Sequence, residues 1–509
     1  TLGGLLVGLL GLLLREQRCH GPPDAIRAAH TAEADMPVRS GLVSALAACL
    51  SLGAGASVGQ YGPLVHLGAS IGAWLRQLAR VEPSFGKIGI ACGAAAAISA
   101  AFHAPIAGLI FAREVILRHY SLRAFAPIAV SSTVAYVIAH IVLQRQPLFQ
   151  VTHHVVASSW EYGVFIGIGI GGALLALVYV HAIRYAGSLA QRLDLPGPVK
   201  TALAGLALGI TGLQVPEVLG IGQDVLRHAM VGEIYGVLDL GVILVTKLLL
   251  TAICLGFGFA GGVFSPALLI GALFGALIGG GTEILFTEQH SYIAVSAVCG
   301  IVAVTGPVIG APLTMVLVVF ELTQNFDLAA AAMISVAFAN LVGFRVLGRS
   351  LFDVQLKAGG FDLSLGRDKV TAEQRQIRAL LHEDYTTAPA DAHLIELRRL
   401  LVRDRRSEVH IVDASGDYLG TLSLHRLMEL ADWGTQPEET AIDHAQASDV
   451  TLTPDTSVWD AMTQLQGFVG ESIPVLENGK LVGALSEGEI VGAYLDIVEA
   501  LRREEHATI

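Results

Sequence analysis

The most evident chemistry in this sequence is carried by backbone groups, and it sits in residues 55–68, GASVGQYGPLVHLG. At its centre, Gly59-Gln60-Tyr61-Gly62-Pro63 interrupts two apolar runs, 40–57 and 64–78. A Gly-Pro pair ends one helix and opens the next, because proline lacks an N–H and suits a first helical turn. Inside a bilayer such a break is tolerated only where protein buries it or it lines a polar cavity. A helix N-terminus at that depth presents unpaired N–H groups and a partial positive charge, which together bind anions. Side-chain clusters are sparse by comparison. The five cysteines (Cys19, Cys49, Cys92, Cys254, Cys299) are scattered, mostly within apolar runs. They show neither metal spacing nor a disulfide framework, so packing is their expected role and no metal is expected.

The elements that must hold this stretch are those of a membrane protein. The chain has 509 residues, 53% hydrophobic and 15% charged, with a mean hydropathy of +0.61. Soluble domains carry about 25% charged residues. The 57 glycines suit close helix packing in lipid. Charge is uneven: residues 367–509 hold 26 acidic and 13 basic residues, whereas 1–366 hold 18 and 19. The acidic balance belongs to a soluble tail and argues against nucleic acid as a partner. The sequence opens at Thr1 inside an apolar run, without methionine or a basic n-region. That start reads as a truncated first helix rather than a signal peptide.

Apolar segments fall near 1–14, 40–58, 64–79, 87–101, 104–117, 124–143, 160–187, 199–213, 236–258, 262–281, 291–309, 310–322 and 328–347. Several are shorter than the roughly 20 residues that span a bilayer. Short, tilted and broken helices predict a polytopic, transporter-like α-helical fold. Basic residues gather at Arg15, Arg18, Arg27 and Arg39, at Arg113, Arg118 and Arg123, and at Arg345, Arg349 and Lys357. Loop 144–159 has only Arg145. The positive-inside rule then places the first three clusters and the tail in the cytoplasm.

Two pairs of segments repeat. Gly59-x3-Pro63-x4-Gly68 has the spacing of Gly262-x3-Pro266-x4-Gly271. Ala104-Pro105, with Glu114 ten residues after Ala104, matches Ala311-Pro312, with Glu321 ten residues after Ala311. The offsets, 203 and 207 residues, preserve order and indicate an internal duplication with its site at the repeat interface. Beyond Gly348, residues 384–431 and 447–498 each read as helix, two strands and helix. The strands are expected at 408–412, 418–422, 472–476 and 481–485, joined by the turns 413–417 and 477–480.

Four ordered stretches resemble the CLC family of chloride channels and proton-coupled chloride antiporters. They are Gly59-x-x-Gly62-Pro63, residues 94–111 (AAAAISAAFHAPIAGLIF), Gly261-Gly262-Val263-Phe264-Ser265-Pro266, and the APLT…FELT stretch at 311–323. The tail resembles paired CBS domains. The resemblance implies an inverted-repeat membrane domain over 1–355, a linker at 356–379, and CBS modules at 380–433 and 447–503 joined by 434–446. It implies a homodimer in the bilayer, a bacterial inner membrane location with a cytoplasmic tail, and transport of chloride or other small anions rather than enzyme chemistry. In the family, helix-end amides, a serine and a tyrosine hold the ion. One glutamate gates it and a second delivers protons.

This sequence departs from that pattern at each side chain. The gate glutamate aligns with Tyr61 and the proton glutamate with Val115. His20 replaces the serine, and the tyrosine aligns with Phe352. Amides at Gly59, Gln60, Tyr61, Gly62, Val263 and Phe264 remain as the expected anion site. An ionised glutamate competes with chloride and retires when protonated, which couples the two ions. Phenols ionise near pH 10, so a tyrosine stays neutral, yet its O–H can donate to an anion. Passive anion conduction is therefore the expected function. The alternatives are a proton-coupled antiporter that uses Glu114 or a water path, and a poorly conducting sensor plugged by Tyr61. His20 offers either a pH-sensitive donor or a neutral residue packed at a turn. Glu114 and Glu321 read as capping or ion-pairing groups, and His66 and His103 as packed histidines. In the tail, CBS modules that bind adenosine nucleotides place an acid three residues after Ser/Thr. Ser486 and Glu489 fit that pattern, whereas Arg426 breaks it in the first module.

Overall fold

The computed structural model describes the chain apart from residues 15–17, 32–35, 80–84, 145–159, 232–234, 286–291, 349, 383, 433–438, 467, 469 and 507–509. Arg15, Arg145, Arg349, nearly all of loop 144–159 and part of the 434–446 linker lie outside the described residues. Two compact units emerge, Thr1–Ser364 and Leu365–His506.

In the first unit, α1 (Leu2–Gly11), α2 (Pro22–Ala29) and α3 (Val38–Gly53) precede α4 (Tyr61–Ala79) and α5 (Phe85–Phe102). The short α6 (Pro105–Phe111) runs into a π-helical turn at Ala112–Leu117, and α7 (Leu122–Val137) follows. Next come α8 (Glu161–Arg192), α9 (Gly197–Gly212), α10 (Gln223–Val231) and α11 (Val237–Gly256). The second half repeats the breaks with α12 (Phe264–Leu285), α13 (Tyr292–Ile309), α14 (Pro312–Thr323) and α15 (Phe326–Leu347), then ends in α16 (Leu351–Ala358). Six helices among the described residues are long and apolar enough to cross a membrane. All thirteen apolar segments are helical. Helices α2, α10 and α16 were not anticipated; each has eight or nine residues and polar members, so no apolar run marks it.

The duplication is visible in packing. A Cβ on Gly93 of α5 would sit 1.9 Å from the Gly68 carbonyl of α4, and one on Gly300 of α13 would sit 2.2 Å from that of Gly271 on α12. Only glycine permits either crossing, and Gly68 and Gly271 are the residues the repeat spacing matches. The halves also cap each other. The Glu114 carboxylate accepts from the N–H groups of Leu313 (3.0 Å) and Thr314 (2.9 Å) and from Thr314 Oγ1 (2.7 Å), at the start of α14. The Glu321 carboxylate accepts from the N–H groups of Ile106 and Ala107, both at 2.8 Å, at the start of α6. Each glutamate thus satisfies orphan donors of the other half's helix, where lipid supplies no water.

The second unit contains α17 (Arg367–Gln374), β1 (Thr387–Pro389), α18 (Leu394–Asp404), β2 (Glu408–Val412), β3 (Tyr418–Ser423) and α19 (Leu424–Asp432). It continues with α20 (Ala441–His444), α21 (Val458–Gln464), β4 (Ile473–Glu477), β5 (Lys480–Leu485) and α22 (Glu487–His506). β1 lies parallel to β2, and β2–β3 and β4–β5 are antiparallel hairpins at the expected positions. Two hydrophobic cores correspond to the two modules. Both stretches expected as linkers contain packed residues. Residues 356–379 do not form a free connection: α16 and Leu363 bury apolar side chains in the first unit. Ala372 and Ile377 belong to the core of the second module. Ala441, assigned to the 434–446 linker, is in the core of the first. Short, largely polar helices with one or two buried residues give no periodic signal, which is why both stretches read as connections.

The modules join through their hairpins. The Tyr418 N–H donates to the Gly479 carbonyl (3.0 Å) and the Leu481 N–H to that of Gly416 (3.2 Å). Glu408 accepts from the N–H groups of Glu471 and Ser472, both at 3.0 Å. Beside it, buried His410 pairs Nδ1 with Thr421 Oγ1 (2.9 Å) and Nε2 with Ser472 Oγ (3.2 Å). Burial, only partly offset by Glu408, pushes the His410 pKa down. The unfolded imidazole, ordinarily titrating near 6.5, then binds protons more readily than the folded one. Stability from this residue is full above that pH and declines as pH falls below it. Hydrogen exchange of β2, β3 and β4 in the full chain, corrected for intrinsic rates, is expected to show lower protection at pH 5.5 than at 7.5. His410→Gln is expected to flatten that dependence. In the membrane unit, Glu114→Ala and Glu321→Ala each strand two backbone donors, at about 1–3 kcal/mol per donor. Both are expected to lower the thermal unfolding midpoint in detergent by comparable amounts; an unchanged midpoint would show the caps to be dispensable.

Candidate functional site

Two glycines bring the broken helices together. The Gly59 N–H donates to the Gly262 carbonyl (2.7 Å), and the Gly262 N–H returns to the Gly59 carbonyl (2.6 Å). This one antiparallel bridge places the start of α4, at Tyr61, beside the start of α12, at Phe264. The approach needs glycine: a Cβ on Gly262 would lie 2.7 Å from the Gly62 nitrogen. First-turn N–H groups of both helices therefore converge from opposite halves, with their dipoles summed at one point.

Tyr61 fills the gap between them. It is 1% exposed and packs on Phe102 (ring centroids 4.3 Å apart) and Phe264 (5.3 Å), which also touch each other (5.1 Å). A cavity of about 660 Å³ borders it, lined by His20, Tyr61, Gly62, Val263, Phe264 and Phe352 among others. A second pocket of about 10 Å³, the size of one water, is lined by Tyr61, Ile221, Gly222, Gln223, Ser265 and leucine side chains. Among the described residues, Tyr61 is the one that lines both.

Six of the eight anticipated anion-site residues thus meet at one cavity. Gly59 and Gln60 do not line it; Gly59 is spent on the bridge. His20 lies between α1 and α2, its N–H donating to Ser44 Oγ (3.0 Å) and its ring stacked on His66 (5.3 Å, 25°). Phe352 is set by α16, whose N-cap Ser350 accepts from the Asp353 N–H (3.2 Å), while Asp353 also pairs with Arg118 (2.5 Å). The charged residues lining the cavity are Arg18, Arg27 and Asp24, with Arg18 paired to Asp24 at 2.6 Å. Positive charge is in excess at that wall, which favours anions. Val115 is buried in the π-helical turn and lines neither cavity.

Two residues escaped the sequence reading. Ser265 is 3% exposed, and its Oγ, without a hydrogen-bond partner, borders the small pocket. Its position between Phe264 and Pro266, at the opening of α12, was the available signal. Lys247 is fully buried on α11, and a lone lysine inside the 236–258 apolar run marks it. In the tail, Ser486 and Glu489 do meet, but as a helix cap: Glu489 accepts from the Ser486 N–H and Oγ, both at 2.8 Å, and from His382 Nε2 at 2.5 Å. Burial raises the Glu489 pKa, but these bonds outweigh it and hold the carboxyl below its usual range. Among the described residues no group of three His, Cys, Asp or Glu could hold a metal.

Residues 3–343 match the family model of the voltage gated chloride channel, and residues 445–496 match that of the CBS domain. A putative ClcB-like chloride channel protein of Ralstonia nicotianae is 31% identical over 340 residues, covering 66% of this chain and 79% of that protein. The voltage-gated ClC-type chloride channel ClcB of Escherichia coli O9:H4 is 27% identical over 346 residues, covering 67% and 82%. Among solved structures, a slow cyanobacterial Cl⁻/H⁺ antiporter superposes with a TM-score of 0.64 at 24% identity, covering 70% of this chain and 85% of that one. A eukaryotic CLC transporter superposes at 0.59 and 21% identity, covering 96% and 88%. This chain belongs to the CLC family, as a membrane protein with the CLC fold and a C-terminal CBS region.

Proposed function

We propose that this protein is a passive, uncoupled chloride channel whose ion is held by amides at the N-termini of α4 and α12. The observation that carries the proposal is the place of Tyr61, a neutral side chain that lines both cavities. An exchanger needs a group there that competes with chloride when charged and yields when protonated. A phenol packed against Phe102 and Phe264 offers neither behaviour. The fallback carrier, Glu114, has both carboxylate oxygens engaged at the start of α14, and Val115 supplies no acid. Weak amide binding also suits conduction, since an ion must leave as readily as it enters.

Family membership supports two copies per assembly, each with its own path, and the basic clusters support a cytoplasmic tail in a bacterial inner membrane. In the tail, Ser486–Glu489 acts first as a cap of α22. An adenosine nucleotide binding there must displace His382 from Glu489.

Chloride efflux from proteoliposomes with simultaneous pH recording tests the proposal. Chloride movement without proton movement is expected. A fixed proton-to-chloride ratio would establish an antiporter instead, and no flux would favour the plugged sensor. Tyr61→Ala, which opens the partition, is expected to raise flux several-fold. Tyr61→Glu is expected to slow the flux or make it acid-dependent. Unchanged flux in both variants would place Tyr61 outside the path.

A further inference from the structure

Lys247 lies near the middle of α11 and is 0% exposed. Its Nζ donates to the carbonyls of Val218 (2.9 Å) and Gly220 (2.7 Å). Among the described residues no carboxylate lies within ion-pair distance of it. An isolated ammonium inside a membrane unit is costly, and such groups mark ion pathways more often than they serve as packing.

Its surroundings connect it to Tyr61 by two routes. Val218 and Gly220 belong to the turn that ends at Gly222, and Gly222 lines the small pocket with Tyr61 and Ser265. The Gly220 N–H donates to the Gly55 carbonyl (2.9 Å), just ahead of the bridging Gly59. One helical turn beyond Lys247, Thr251 Oγ1 shares a 3.0 Å hydrogen bond with Ser57 Oγ, two residues before Gly59. Lys247 is therefore the node where α11, the 216–222 turn and the segment leading to α4 are tied together.

We propose that the Lys247 ammonium strengthens anion binding in the path beside Tyr61, while its two hydrogen bonds hold the 216–222 turn that borders it. Both acceptors are uncharged carbonyls, so neither offsets the charge of the protonated amine, and a charge acts over a longer range in a low-dielectric interior. Helix-end amides supply partial charges; Lys247 supplies a whole one. The residues lining the small pocket are uncharged, and Lys247 stands behind them, bonded to Gly220 two residues before the lining Gly222.

The inference rests on the anion path proposed above, and the test separates the two. Flux is measured over a chloride series for wild type, Lys247→Gln and Lys247→Arg in proteoliposomes, with chloride calorimetry on the same purified proteins. Glutamine keeps two N–H donors for the carbonyls and removes the charge. Lys247→Gln is expected to raise the half-saturating chloride concentration on the order of ten-fold, as loss of one nearby charge predicts. Lys247→Arg is expected to stay within about two-fold of wild type, because it keeps that charge. A purely structural role would lower maximal flux and the melting temperature with half-saturation unchanged, and that result would overturn the inference. Should wild type pass no chloride, the conduction proposal fails. Calorimetry then decides this one, with equal chloride affinity in wild type and Lys247→Gln overturning it.

Discussion

The architecture depends on one pair of backbone hydrogen bonds, between Gly59 and Gly262. Helix N-termini repel one another, because each carries about half a positive charge. Bringing α4 and α12 end to end therefore costs energy unless something binds between them. The glycine bridge fixes the approach sterically, since no side chain fits where Gly62 and Gly262 meet. What results is a convergence of donors at a cavity whose wall holds two arginines, Arg18 and Arg27, against one aspartate, Asp24, and helix ends so placed have an intrinsic affinity for anions. Everything else in the membrane unit positions or screens that point.

The reciprocal caps are the counterpart of the bridge. Glu114 closes the start of α14 and Glu321 closes the start of α6, so each half supplies the negative charge the other half's helix needs. Helix N-termini of two kinds thus coexist. Those at α6 and α14 are sealed by carboxylates, whereas those at α4 and α12 face Tyr61 and the cavity. The contrast leaves the ends of α4 and α12, and not those of α6 and α14, open to the anion site proposed above. It also occupies both carboxylate oxygens of Glu114.

Much of this was legible in the sequence, for identifiable reasons. Spacing repeats over Gly59–Gly68 and Gly262–Gly271 survive because the close helix crossings at Gly68 and Gly271 admit only glycine. Apolar runs located every long helix, since lipid demands them. The hairpins at Gly416 and Gly479 were legible because positive φ, 86° at both, selects glycine. What stayed hidden was set by tertiary partners. That Glu114 reaches Thr314, that Tyr61 packs on Phe102, and that Ala372 joins the second module's core are long-range facts without local periodicity. The Ser486–Glu489 spacing fits a ribose site, and the same spacing makes the N-cap that the structure shows. A motif that satisfies a helix end and one that binds a ligand use the same donors, and only the neighbours distinguish them.

The physical consequence for transport lies in which charges can change. In a site gated by a carboxylate, protonation alters the net charge at the ion's own position, so proton and anion movements are linked by electrostatics. Here Tyr61 and Ser265 offer a phenol and a hydroxyl beside the helix-end amides, while Lys247, held by two carbonyls, lines neither cavity. On the proposed path none of the amides, the phenol or the hydroxyl has to change protonation. On the conduction path proposed above, the obstacle to an ion is then steric rather than electrostatic: Tyr61 is buried against Phe102 and Phe264, and each aromatic pair adds about 0.5–1.5 kcal/mol to the burial of the ring.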